Sequence, residues 1–579
     1  MLALLCLTVT SAWADDSGTC GTSLTWSYVE STHTLTISGT GAMTDYSYGE
    51  TPWSAYTSDI TNIVIEDGVT SIGYKAFAYC DNEYMTTVTI PNSVTTIGTK
   101  AFLGCSGLMT VTIGSGVTSI GDCAFEDCNS LTEITVSGEN LYYKSVDNVL
   151  FNKDGTLLIK YPEGITATSY TIPNDVKTIG DNAFMYSLLT EVIIPDGVTT
   201  IGDNAFVDCE YLTTLTIPNS VTTIGDYAFI NCLDLTTLNI GSGVTSIGDG
   251  PCYGCTSLTE ITVSGGTHFK SVDNVLFSYD GKTLVQYPVG STATSYTIPD
   301  GVETISAHAF EDSNNLETVT IPNGVTTIGN GAFTYCLGLT TMNIPSSVTT
   351  IVDAFYSCEN LATVTLNSNP YIDYDAFNID GNGTTPAVTM NLTAKSAGGA
   401  KWMTFYSSYG NFQADANTQV FKAELSGTTI TLHEVTDKIV DAGTAVVLKS
   451  TGNPVMTLTT SASGDSQANS LEGVDNPEGQ DNDGYFYVLN NGSKGVGFYK
   501  LADGKKLGYG KAYLWYDSSS APELDYLEFN YGNGNTTGVN EVRGQKEESR
   551  SQYYDLQGRR VAQPAKGLYI VNGKKVVIK

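Results

Sequence analysis

LTTLTIPNSVTTIGDYAFINC, Leu212 to Cys232, is the stretch that decides the fold. Leu215 and Ile217 alternate with Thr214 and Thr216, a period of two that puts the apolar pair on one face of a strand and the threonines on the other. Pro218 has no N–H for a ladder and stops that strand. Val221 and Ile224 point inward from a second extended stretch, Gly225 allows a bend, and Ala228-Phe229 fill the interior at the next corner. The segment reads as one turn of a coil. Its few buried apolar side chains fall short of the entropy lost in ordering it, so a turn folds only when neighbours cover its faces.

Such neighbours are present. The Phe of the unit recurs at Phe77, Phe102, Phe125, Phe184, Phe206, Phe229, Phe310, Phe333, Phe355 and Phe377, with Cys252 in register, and most steps are 22 or 23 residues. These eleven units predict a β-solenoid. The steps from Phe125 to Phe184 and from Cys252 to Phe310 are 59 and 58 residues long. Each holds an insertion with shared text, SVDNVLF at Ser145 and Ser271 and TATSYTIP at Thr166 and Thr292, both offset by 126 residues, so a block of units was duplicated.

The pattern LxxVxIPxxVxxIGxxAFxxC resembles the BspA-like variety of leucine-rich repeat over roughly Ile60 to Phe377, and Leu24 to Trp53 is similar to the amino-terminal cap of such arrays. A cap is needed in any case, because the first turn would otherwise expose an apolar end and an edge strand. The resemblance implies a leucine-rich-repeat solenoid, and with the readings of the later residues given below the expected chain is mainly β: the solenoid, then a β-sandwich and a short β tail. The expected divisions are a signal peptide at 1–14, a cap at 15–59, the solenoid at 60–379 with insertions near 139–170 and 265–296, a sandwich at 388–530, a linker at 531–551 and a tail at 552–579.

Composition narrows the function classes. With 27 Lys and Arg against 61 Asp and Glu the net charge is −34, which argues against nucleic acid and anionic membranes as partners. Charged residues make up only 15% and hydrophobic ones 41%, so the chain has material for a core. Four histidines leave little for His-based catalysis. Met1 to Ala14 is an apolar run closing on Ala12-Trp13-Ala14, the pattern a signal peptidase accepts, and predicts export. No later apolar run is long enough to span a bilayer as a helix.

Eight cysteines, Cys80, Cys105, Cys128, Cys209, Cys232, Cys255, Cys336 and Cys358, follow the Phe position by three residues. They are expected as a buried column of small hydrophobes repeated because the coil repeats. Stacking one turn apart leaves disulfides open by separation alone, but equal spacing offers no preferred partner. Cys252 and Cys255 form a CxxC; register puts one in the Phe slot and the other in the column, and no second CxxC completes a zinc site. His268 and His308 are expected in solvent. No catalytic, cofactor or metal residue is assigned.

The candidate ligand-binding face is the polar side of the strand ladder: Thr87 and Thr89, Thr110 and Thr112, Glu133 and Thr135, Thr214 and Thr216, Thr237 and Asn239, Glu260 and Thr262, Thr318 and Thr320, Thr341 and Asn343, Thr363 and Thr365. Threonine there is explained by β propensity alone, and equally by a rigid hydroxyl surface that binds an extended partner at many weak points. The insertions carry Tyr142, Tyr143, Tyr161, Phe269, Tyr279 and Tyr287, either as projecting contact points or as self-packed hairpins.

After Phe377 the unit disappears. Asp380 to Thr385 reads as a linker, and strands such as TTITLHEV, TAVVLKS and KAYLWYD predict the sandwich. Asp481 to Gly484 reads as a turn rather than a calcium loop, since EF-hand spacing is absent. The last residues, YYDLQGRRVAQPAKGLYIVNGKKVVIK from Tyr553, are a basic hairpin-like unit joined at Asn572-Gly573 that resembles the sorting domain of type IX secretion. That likeness implies contact with secretion machinery. The whole reads as a secreted or cell-surface, adhesin-like protein with host or bacterial surface proteins or glycans as partners. The alternatives are a carbohydrate-active enzyme using Glu434, Asp437, Asp441, Glu523 or Asp525, and a purely structural envelope protein.

Overall fold

A computed structural model describes residues 16–373, 375–379, 384–397, 400–426, 429–466 and 469–473, and beyond them the strand segments 484–492, 495–500, 512–517, 526–527, 529–531, 542–543, 553–554, 560–561, 567–571 and 574–578. The expected signal peptide, the linker at 531–551, Asp481 to Asp483, Glu523, Asp525 and Asn572-Gly573 lie wholly or largely outside the described residues. The chain is mainly β. Among the described residues the helices are two single 3₁₀ turns, Glu30–Thr32 and Ser54–Tyr56, and no helix is long and apolar enough to cross a membrane.

Two compact units are present. The first runs to Thr292 and takes in Ser306–Ser313; the second comprises Ala293–Ile305 and everything from Asn314. The first unit starts as an antiparallel meander, Asp16–Thr19, Leu24–Val29 and Thr34–Gly39. It then turns parallel as Asn62–Ile65 pairs with Thr34 to Ile37, followed by Thr87–Ile90, Thr110–Ile113 and Glu133–Val136. Like pairs with like: Thr87 with Thr110, Val88 with Val111, Ile90 with Ile113. A second column of two- to four-residue strands carries the inward Val and Ile of each turn. Capping works through aromatic rings, because Trp53 is fully buried and stacks on Phe77 at 5.7 Å.

Of the two readings of the insertions, the structure shows the hairpin. Each is a hairpin, Tyr143–Val146 with Val149–Asn152 and Phe269–Val272 with Val275–Ser278, placed between the two strands of a single turn. The chain then resumes the coil. Leu157–Lys160 joins the short-strand column beside Thr178–Ile179, and Tyr161 occupies the Phe slot, its N–H donating to the Ala183 carbonyl as Phe184 N–H donates to Ala205 and Phe206 N–H to Ala228. Tyr161 stacks on Phe184 at 5.4 Å and Tyr287 on Phe310 at 5.1 Å. The array thus holds two more turns than the eleven read from Phe alone, and these two tyrosines are core rings, 1% and 3% exposed, not projecting contact points. Tyr142 and Tyr279 remain exposed.

Glycine acts differently from the bend expected at Gly225. A Cβ there would meet the Asp203 backbone nitrogen at 2.5 Å, so Gly225 permits close stacking of successive turns. The bends are made instead by left-handed residues two before and two after the Phe, Tyr227 (φ 56°) and Asn231 (φ 54°) in this unit.

In the second unit Ser295–Thr297, Thr318–Thr320, Thr341–Ile344 and Thr363–Leu366 form the parallel ladder. Ala387–Asn391, expected at the head of a separate module, is a further rung in the same register, Val388 beside Val364. Val455–Leu458 then pairs antiparallel with that rung, and Phe412–Ala414 with Val455–Leu458. Tyr409 meets the last ring, Phe377, edge-on at 5.8 Å. The carboxyl-terminal strands therefore close this ladder as the meander opens the other. Beyond them lie sheets centred on Thr418–Ser426 and Gly484–Gly492, and a small one in which Gly567–Val571 pairs with Lys574–Ile578.

Candidate functional site

Inside the first unit the rings form runs: Phe77 to Phe102 at 5.2 Å, Phe102 to Phe125 at 5.7 Å, Phe184 to Phe206 at 4.9 Å and Phe206 to Phe229 at 5.8 Å. In the second, Phe333 stacks on Phe355 at 5.2 Å. All are at most 3% exposed. Cys80, Cys105, Cys128, Cys209, Cys232, Cys255, Cys336 and Cys358 are buried and joined in no disulfide among the described residues. Their thiols do more than fill space: Cys105 Sγ donates to the Phe77 carbonyl at 3.2 Å, Cys232 to that of Phe206 at 3.2 Å and Cys358 to that of Phe333 at 2.9 Å, tying turn to turn. Burial pushes Cys80 and Cys358 up to about 12, so they stay protonated and unreactive. Cys252 is buried in the Phe slot, where desolvation and its bond to Cys255 also favour the thiol. Among the described residues no group of three His, Cys, Asp or Glu could hold a metal ion.

The threonines separate into two kinds. One kind stands at the head of each strand and bonds the previous turn: Thr213 Oγ1 donates to the Thr190 carbonyl, Thr236 to that of Thr213, Thr222 to that of Thr199 and Thr245 to that of Thr222, at 3.1 to 3.3 Å. These pins went unrecognised in the sequence, although the doubled threonines of LTT and VTT mark them. The other kind is the candidate face. Thr87, Thr89, Thr110, Thr214, Thr237, Thr318, Thr320, Thr363 and Thr365 alternate with buried Val, Leu or Met, and their backbones hold the ladder while their hydroxyls bond no other group among the described residues. Thr112 accepts from Thr135 Oγ1 at 3.1 Å, and Thr216 accepts from Asn239 Nδ2 at 3.3 Å.

This face is three segments, not one ladder. The run ending at Glu133–Val136 is not paired with the next, which starts at Ser169–Thr171, and the run starting at Ser295–Thr297 is again a separate sheet. In the middle segment Thr190, Glu191, Thr214, Thr216 and Asn239 line an open groove of about 850 Å³.

His308 was expected in solvent and is half-buried. Its Nδ1 lies 2.5 Å from Glu311 Oε2 and its Nε2 3.0 Å from the Tyr227 hydroxyl. Gly250 makes room for it, since a Cβ there would come within 3.1 Å of His308 Cβ. His268 is exposed beside Thr267. Of the acids named for a catalytic alternative, Glu434 accepts from Gln419. Asp437 accepts from the Ile439 and Gly464 amides, and Asp441 from the Ser463 amide, so both hold a loop.

Comparison with known proteins agrees with this architecture. The model of the BspA type leucine rich repeat region matches in six copies, over residues 54–170, 161–283 and 289–393. A leucine-rich repeat protein from Eubacterium ventriosum is 28% identical, over 60% of this chain and 99% of that one, with a TM-score of 0.38. A leucine rich cell surface protein from Faecalibacterium prausnitzii is 24% identical over 66% and 97%, with a TM-score of 0.33. The pneumococcal vaccine antigen PcpA is 17% identical over 66% and 94%, at 0.29. No curated protein matched. The ring column, the thiol pins and a family match over more than half the length lead to one statement: the chain belongs to the BspA-type leucine-rich repeat family.

Proposed function

We propose that the chain is a secreted or cell-surface, adhesin-like binding protein without catalytic activity, whose solenoid face engages proteins or glycans of a host or bacterial surface. One observation carries this reading: threonines next to each other in sequence divide into pins that bond the preceding turn and face residues whose hydroxyls stay available. A rigid row of such groups binds an extended partner with little loss of entropy, and repetition adds many weak contacts. In this reading Met1 to Ala14 directs export, the residues after the last rung, 392–530, form a sandwich that spaces or assists the solenoid, and the tail from 552 is a type IX sorting signal. The strand pair Gly567–Val571 and Lys574–Ile578 fits the hairpin that the tail requires. The net charge of −34 favours neutral or basic partners.

The test is a binding screen of the full chain against matrix proteins and surface glycans, repeated on Thr214→Asp/Thr216→Asp. Both side chains are exposed, so the variant should melt with the parent and lose binding about tenfold or more. Undiminished binding to every partner would reject the face. Turnover of a polysaccharide by the chain would reject the non-catalytic reading.

A further inference from the structure

The two insertion blocks supply an internal control. In both, the turn added by the insertion passes from its short strand to its ring without the left-handed corner that other turns make, Ile159-Lys160-Tyr161 in one and Val285-Gln286-Tyr287 in the other. A missing corner leaves a gap between the corners on either side. In the second block the gap is occupied: His308 reaches over Gly250 to Tyr227 and Tyr253, and Gln286 donates to the Tyr287 and Ala309 carbonyls. In the first block Cys123 stands for Gly250, Asn182 for His308 and Glu126 for Tyr253, and the gap is a cleft of about 480 Å³.

The walls of that cleft are not those of a packing defect. Ile120, Leu150, Leu157 and Ile159 line one part, and Tyr142 and Tyr143 another. Tyr143 is fixed by its hydroxyl, which accepts from the Ile120 amide at 3.2 Å and donates to the Thr118 carbonyl. Lys160 lines the interior, is 7% exposed, and among the described residues bonds one partner, Glu163 Oε1 at 2.6 Å, so N–H groups of a buried ammonium are left over. Glu126 Oε2, also lining the cleft, is buried and has no hydrogen bond, with Lys100 Nζ at 3.5 Å. Groups buried in this state cost stability unless something pairs with them.

We propose that this cleft binds a short neutral saccharide. Asp122, Glu126 and Asp181 repel an anion, while the N–H groups of Lys160, whose charge Glu163 already balances, need an acceptor that a simple organic cation lacks. What remains is a ligand whose groups both accept from Lys160 and donate to Glu126, as hydroxyls do, and whose C–H face lies against tyrosine. The volume falls within the range of small-molecule sites and accommodates one or two sugar rings. These residues are separate from the threonine face, so each reading stands or falls without the other.

Saturation-transfer NMR on the full chain, using glucose, galactose, mannose, maltose, cellobiose and lactose with arginine and glucuronate as charged probes, tests the site. At least one neutral sugar should receive saturation, and the charged probes should not. The decisive variant transplants the second block's plug together with the glycine that makes room for it, Cys123→Gly/Asn182→His/Met185→Glu, and should weaken binding about tenfold or more while the chain still unfolds in one cooperative transition. Exposed Tyr142→Ala should weaken it similarly, which keeps the test valid if the transplant misfolds. Silence from all neutral sugars, preference for arginine or glucuronate, or sugar binding that survives both variants would each overturn the proposal.

Discussion

The two insertion blocks carry nearly the same strand text and end in different corners. SVDNVLF and TATSYTIP fold into the same hairpin, the same resumed coil and the same tyrosine in the ring column. The corners, which face no repeating neighbour, diverged: one block holds a buried Lys160–Glu163 pair beside a cleft, while the other has Gln286, Val289 and the inserted His308. Periodic packing fixes whatever touches a copy of itself, and a break in the period frees the residues beside it. A solenoid of this kind therefore gains individuality where its repeat fails.

The largest effects should be shared by the blocks. Tyr161→Ala and Tyr287→Ala each remove a stacked core ring and should cost ~3–5 kcal/mol in urea unfolding, with the two values similar. A near-neutral Tyr161→Ala would mean that the added turn is not closed. The next effect should separate the blocks. Lys160→Met leaves Glu163 buried without its partner and should cost ~3 kcal/mol. Lys160→Met/Glu163→Leu, which removes both charges as Gln286 and Val289 do in the second block, should recover most of that loss. If the double variant is no better than the single, the pair is not what distinguishes the blocks.

Much of the fold was legible because every ring and thiol has the same surroundings as the one before, so spacing alone located Phe206 and Cys232. The added turns were hidden although Tyr161 and Tyr287 each precede a marker Phe by 23 residues. The slot was read as Phe preceded by Ala, and here Tyr follows Lys160 or Gln286. Alternation placed Thr214 and Thr216 on the polar side of the strand, but said nothing of Thr213, whose hydroxyl reaches a carbonyl one turn back. His308 was beyond local reading. Its place depends on Gly250, 58 residues earlier, and on a corner that the intervening turn does not make.

His308 should come next in size. His308→Ala empties the filled gap and strands Glu311, which is 4% exposed, so a loss of ~1–2 kcal/mol is expected. Asn182→Ala, at the matching place beside the open cleft, should cost at most ~0.5 kcal/mol. Equal losses in urea unfolding would show that the two gaps are filled alike.

The smallest difference concerns one left-handed corner position, Tyr186 in the first block and Asp312 in the second, with φ of 62° and 61°. Burial, reinforced by the neighbouring Glu311 carboxylate, raises Asp312 from 3.8 to about 6. An acid raised on folding binds its proton more tightly in the native state, so its stabilising effect is full below 3.8, declines as pH rises, and is gone above about 6. Asp312→Asn, which cannot ionise, should therefore melt higher than the parent at pH 7.5, and the gain should shrink as pH falls from 6 to 4. The phenol of Tyr186, also raised by burial, does not titrate in that window, so Tyr186→Phe should give the same change in melting temperature at both ends. A gain for Asp312→Asn that is equally large at pH 4 and pH 7.5 would mean that ionisation of Asp312 is not its source and that the contrast between the blocks ends at His308.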